Sequence, residues 1–254
     1  MRRMRHLKPR EIQGCQLALD ASISTSLYDA TSGGSLVAAN GAVARWEDQS
    51  GNARHVTQST FGYRPLRRIS SKGGMDALQK NTSTATKMVT AGFYPSSGSG
   101  DVTVVSVSAP VVGAAYSTTW QYGGNSVSGD RLAWLPIYNT SRSAVDGNGC
   151  YVGRQSSPPE NSGWAMHALV ASGASTIGGT SQRVNRADVT ENYTLSPTTS
   201  LNIGTSIPFT VMNHDGSSLP IDYMASVATW GYALSVAVLG RLEAALMRKW
   251  RISG

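Results

Sequence analysis

Fifteen acidic residues in 254 are the first place to look for catalysis, because glycoside hydrolysis needs two carboxyl groups placed across the scissile bond. No strand-like stretch carries two of them at i, i+2 or i, i+4. Glu47 and Asp48 are adjacent, so on a strand they would point to opposite faces. The histidines, His6, His55, His167 and His214, are scattered, and there is no Gly-x-Ser-x-Gly, His-Glu-x-x-His or phosphate-binding lysine loop. Cys15 and Cys150 lie far apart without metal spacing, so both read as reduced structural residues. Asp146-Gly-Asn148 and Asn213-His-Asp215 offer oxygens to Ca²⁺, but neither loop carries several acids. The expectation is no catalytic residue, no metal, no cofactor and no enzymatic activity.

Binding is the other chemistry open to these residues. Tyr116, Trp120, Tyr122 and Trp134 fall within 19 positions. Aromatic faces stack on sugar rings, which makes Trp120, Tyr122 and Trp134 candidate glycan contacts, although the same density suits a core. Five cations, Arg2, Arg3, Arg5, Lys8 and Arg10, stand against Glu11 alone in residues 1–13, so this arm holds +4 of the net +7. The body is close to neutral. A basic arm on a neutral body reads as a tether to a protein partner, and its lack of aromatics argues against nucleic acid. It has no apolar run of the kind a leader or membrane anchor needs, and no stretch approaches 18 consecutive apolar residues.

The elements that would position these groups are mostly strands. Gln16–Ser22 alternates apolar and polar residues. Asp101–Ser108 is rich in β-branched residues and stops at Pro110. Further strands are expected at 132–138, 150–153, 166–171, 183–185, 201–204, 207–212 and 221–230. Trp46 is an apolar anchor, and Asp48, Ser50, Gly51 and Asn52 follow as a turn whose short side chains bond local amides. Ser235 is a helix N-cap. Leu239, Leu242, Leu246 and Trp250 then form one apolar stripe, with Arg248 and Lys249 at the negative end of the helix dipole. Trp250 reads as a core plug.

Three of these stretches resemble a known family. They are Leu17-x-Leu-Asp-Ala-Ser22, the run from Val43 through Trp46, Asp48, Ser50-Gly-Asn52 and His55 to Arg64-Pro65, and Trp230-Gly-Tyr-Ala-Leu-Ser235 with its helix. Together they are similar to the LamG-like members of the concanavalin A-like lectin/glucanase superfamily. That resemblance implies an all-β, two-sheet antiparallel jelly roll with a C-terminal α-helix, spanning residues 14–254 behind a basic arm at 1–13. Relatives that cleave β-glucans carry Glu-x-Asp-x-(x)-Glu on one strand, and no strand here does. The strand before the last turn, which in relatives often carries an acidic residue, corresponds here to Asp222-Tyr-Met-Ala-Ser226 and departs from that pattern. The functional expectation is a non-enzymatic virion structural protein, such as a phage capsid decoration, neck or tail component. It would dock on other virion proteins or on copies of itself through the arm and carry some glycan-binding capacity. The alternative is a carbohydrate-binding adhesin module of a bacterium or phage.

Overall fold

The computed structural model describes residues 7–253, apart from 83–84, 111–115, 139–141, 149, 155–162, 173–175, 189–192, 197 and 214–218. Short β-branched and alternating runs, cut by Gly, Asn and Ser turns, pair into two sheets that face each other. The smaller sheet runs in the order Ala187–Asp188, Ser181–Val184, Ala165–Ala171, Val102–Ala109, Tyr223–Trp230, Met75–Gln79, Leu66–Lys72. Cys15–Asp20 is added beside Tyr223–Trp230. The larger sheet runs from Tyr193–Leu195 through Tyr151–Arg154, Arg142–Asp146, Arg131–Tyr138, Trp120–Gly123, Ile207–Val211, Met88–Thr90, Val56–Thr57 and Arg45–Trp46 to Leu27–Tyr28. Pairing in both is antiparallel, except where Leu219–Pro220 runs parallel to Tyr116–Thr118. This is the expected all-β jelly-roll sandwich.

The first core fills the space between the sheets. Trp46, Trp120, Tyr122, Trp134, Phe209 and Val227 are among its members. The second core lies on the outer face of the smaller sheet, where the helix Val236–Trp250 covers Val105, Val107, Met166, Ala228 and Trp230 with Leu239, Leu242, Leu246 and Trp250. The Val238 N–H donates to Ser235 Oγ at 3.4 Å, and Arg251 closes the helix in the left-handed region. Val102–Ala109 is therefore buried on both faces. A strand of a one-sided sheet would send its alternate hydroxyls to water; here Ser106 and Ser108 are enclosed because the helix covers one side and the second sheet the other.

The turn after Trp46 clamps the two sheets. Asp48 is 8% exposed and accepts from the amides of Ala18 (2.9 Å), Ser50 (2.8 Å) and Arg54 (3.1 Å) and from Ser50 Oγ (2.7 Å). Ser50 Oγ donates to Gln16 O, Asn52 Nδ2 to Cys15 O and Gln16 O, and Arg54 Nη1 to Gln16 O. The Asp48 N–H donates to His55 Nδ1. Gly51 takes a φ of 91°, which a residue with a Cβ adopts only under strain. So the family-like stretch is a hydrogen-bonded pin between Arg45–Trp46 of one sheet and Cys15–Asp20 of the other.

Of the N-terminal arm, Leu7 and Ile12 pack on the second core, and Pro9–Glu11 forms a 3-10 turn. Both cysteines are free thiols, and burial raises the pKa of Cys15 to about 12. No described helix is long and apolar enough to cross a membrane.

Candidate functional site

Trp120, Tyr122 and Trp134 cannot offer a face to a sugar. They are 1%, 0% and 1% exposed. Trp120 stacks with Tyr122 and with Phe209, at centroid separations of 6.4 and 6.2 Å, and Trp134 packs on His167 at 5.2 Å. The aromatic density of this segment belongs to the core, which corrects the expectation of a glycan contact there. Tyr116 begins a strand whose partner is the end of Arg131–Tyr138.

Exposed aromatic rings stand elsewhere. Between Val56–Thr57 of the larger sheet and Leu66–Lys72 of the smaller, the chain makes a 3-10 turn at Phe61–Tyr63. Phe61 is 70% exposed and Tyr63 42%. The turn is braced from several sides. Tyr63 N–H donates to Thr60 O at 3.0 Å and Arg64 N–H to Phe61 O at 3.2 Å. The Arg64 guanidinium donates to Gln58 O (3.0 Å), Asp29 O (3.0 Å) and Ser59 O (3.1 Å), and lies 5.6 Å from the Phe61 ring centre. Asn81 Nδ2 reaches Gly62 O, and Gln58 anchors the approach through Lys87 O and the Thr60 amide. An apolar platform thus sits among amide, hydroxyl and guanidinium groups on a turn that is already ordered. The signal in the sequence was modest: an aromatic-Gly-aromatic triplet flanked by Ser59-Thr60 and Arg64-Pro65.

The outer face of the larger sheet is polar and largely covered. Strand register places Asp146, Ala133, Gln121, Thr210, Val89, Thr57, Arg45 and Tyr28 in one lateral row. They point away from the sandwich interior because Trp120, Trp134, Val145 and Val211 point into it. Arg131 Nε donates to Asp146 Oδ2 at 3.0 Å, and Arg45 lies over Tyr28 at 4.2 Å with Glu47 3.2 Å away. The carboxylates of this face are therefore matched to guanidinium groups. Asn148 is likewise spent on Val127 O and Asp130. Among the described residues no three Asp, Glu, His or Cys side chains converge as a metal site. His214 and Asp215 lie outside them.

The basic residues read as partner contacts divide in the same way. Arg2, Arg3 and Arg5 lie outside the described residues. Lys8 and Arg10 line a cavity of about 500 Å³ between the 3-10 turn, the end of the C-terminal helix and the outer face of the smaller sheet.

Solved structures share this sandwich. A mutant GH54 arabinofuranosidase soaked with 4-nitrophenyl α-L-arabinofuranoside aligns at 16% identity and TM-score 0.65, over 96% of this chain and 66% of that one. An arabinofuranosidase complexed with arabinofuranosyl-α-1,2-xylobiose aligns at 17% and 0.66, over 96% and 65%. Domain 4 of AbnA, a GH43 extracellular arabinanase from Geobacillus stearothermophilus, in complex with arabinotriose, aligns at 10% and 0.58, over 91% and 97%. The chain thus spans just under two thirds of the arabinofuranosidases and nearly all of the arabinanase domain. At these identities the likeness is one of fold. No protein-family model matches the sequence, and no curated protein does.

These neighbours overturn the expectation of a virion structural protein, since each is a carbohydrate-active enzyme or a domain of one. The expectation of no enzymatic activity falls on the same finding. Arabinofuranosidases carry this sandwich, so the lack of a two-acid strand motif does not exclude catalysis. The coarser reading, an all-β sandwich of two antiparallel sheets, stands.

Proposed function

We propose that this domain binds carbohydrate, with the Phe61–Tyr63 turn as its contact surface. The observation that carries the reading is a pair of exposed aromatic rings on a pre-braced turn. Exposed apolar groups rimmed by polar ones mark interaction sites, and a ring face suits the C–H face of a sugar. Because Arg64 and Asn81 already fix the turn, little ordering entropy is lost on binding. The likeness to an arabinanase domain in complex with arabinotriose supports the same reading and makes arabino-oligosaccharides the first ligands to try.

The test is titration calorimetry with arabinotriose alongside a glycan array. Phe61→Ala is expected to weaken binding at least tenfold, while the melting temperature stays within about 1 °C because a ring this exposed contributes little to the core. Tyr63→Ala should weaken it less. Binding that survives both substitutions, or an array with no hits, overturns the proposal. Release of reducing sugar in the same samples would add catalysis to binding.

A further inference from the structure

The cavity beneath the C-terminal helix has no part in the contact surface just described, and its lining is unusual in charge. Lys8 and Arg10 enter from the N-terminal turn, and Arg248, Lys249 and Arg251 from the end of the helix. Asp20 is the one carboxylate among its described lining residues, and it is already paired with Lys249. Cations in the last turn of a helix have an ordinary explanation in the helix dipole. That explanation covers Arg248 and Lys249. It does not cover Lys8 and Arg10, which belong to a different segment and converge on the same space.

The rest of the lining is built for a ligand with one apolar face. Ala18, Met75 and Leu246 supply aliphatic surface. Ser226 stands among them, 4% exposed, and its Oγ is buried with no hydrogen-bond partner among the described residues. A buried hydroxyl without a partner is costly, and a ligand hydroxyl would satisfy it. The volume, about 500 Å³, falls in the usual range for small-molecule sites. We infer that this cavity binds an anionic saccharide unit, in which a carboxylate or sulfate meets the arginines, the ring lies on the aliphatic floor and a ring hydroxyl bonds Ser226. Guanidinium groups pair with carboxylate or sulfate oxygens through charge-assisted bonds, while a neutral sugar would leave the mutual repulsion of Lys8, Arg10, Arg248 and Arg251 unrelieved. The inference rests on the carbohydrate reading but uses a separate site.

The experiment is calorimetric titration of the full chain with trigalacturonate, a sulfated disaccharide, arabinotriose and inorganic phosphate in turn. Saturable binding of trigalacturonate identifies a uronate, and of the sulfated sugar a sulfate ester; either supports the inference when phosphate binds at least tenfold more weakly. Arg10→Ala with Arg251→Ala should cut that binding at least tenfold. Both side chains are exposed, so the melting temperature should hold. Ser226→Ala should weaken it several-fold without changing its salt dependence, which a diffuse basic surface would not show. Equal binding of phosphate and both acidic sugars, insensitive to Ser226→Ala, overturns the inference. So does acidic-sugar binding that is lost in Phe61→Ala and kept in the arginine variant. Binding of arabinotriose alone would leave the carbohydrate reading standing and remove this one.

Discussion

His167 is 1% exposed, packed on Trp134, with Nδ1 3.4 Å from Ser108 Oγ. Burial drives its pKa down to about 3. The sign follows directly. The unfolded chain protonates this imidazole near its ordinary value of 6.5, whereas the folded one holds it neutral, so its stabilising contribution is complete above about pH 6.5 and falls as pH drops toward 3. Between pH 7 and 5 the domain should lose about 2 kcal/mol through this group, at about 1.4 kcal/mol per pH unit. Urea midpoints at the two pH values test it: His167→Gln should lose that part of the dependence, and an unchanged dependence would refute the assignment. None of this was legible in the sequence, where His167 is one of four scattered histidines. The aromatic candidates failed for a related reason. Residue type marked Trp120, Tyr122 and Trp134 as sugar platforms, but an aromatic ring serves a core equally well, and only strand direction decides which it does.

At the scale of elements, local chemistry was far more readable. The helix expected from Ser235 to Lys249 spans Val236–Trp250, and the strands expected at 101–108 and 221–230 form as Val102–Ala109 and Tyr223–Trp230. Caps, periodicity and β-branched runs are local signals and survive folding. The turn after Trp46 was read as self-bonded, which describes its bonds to Ser50 but not its reach to Ala18 and Gln16 in the opposite sheet. Such long-range bonds leave no local pattern. Asp48→Ala should therefore cost about 3 kcal/mol, because the Ala18 amide would be left buried without its partner. Asp48→Asn should recover part of that loss. Chemical denaturation of the three proteins measures it, and a loss below about 1 kcal/mol would mean that the pin is dispensable.

For the whole molecule, the two end motifs identified the sandwich because they occupy its closure, where Cys15–Asp20 pairs with Tyr223–Trp230 and the helix packs over both. The arm was read as a tether docking on a partner protein, yet Leu7 and Ile12 lie against this chain's own helix core, and the Tyr232 hydroxyl donates to Gln13 O. Removing residues 1–13 should lower stability by about 2 kcal/mol, or the melting temperature by about 5 °C, the expected loss for one buried aliphatic side chain and its neighbours. An unchanged melting curve would return the arm to the role of an independent extension. The central position of Tyr223–Trp230 in the smaller sheet also governs how the protein is made. As the chain leaves the ribosome, Cys15–Asp20, Met75–Gln79 and Val102–Ala109 emerge first, and all three await the one strand that joins them. Until it arrives their edges are open to other nascent chains, so the smaller sheet closes only once this last of its strands has been made.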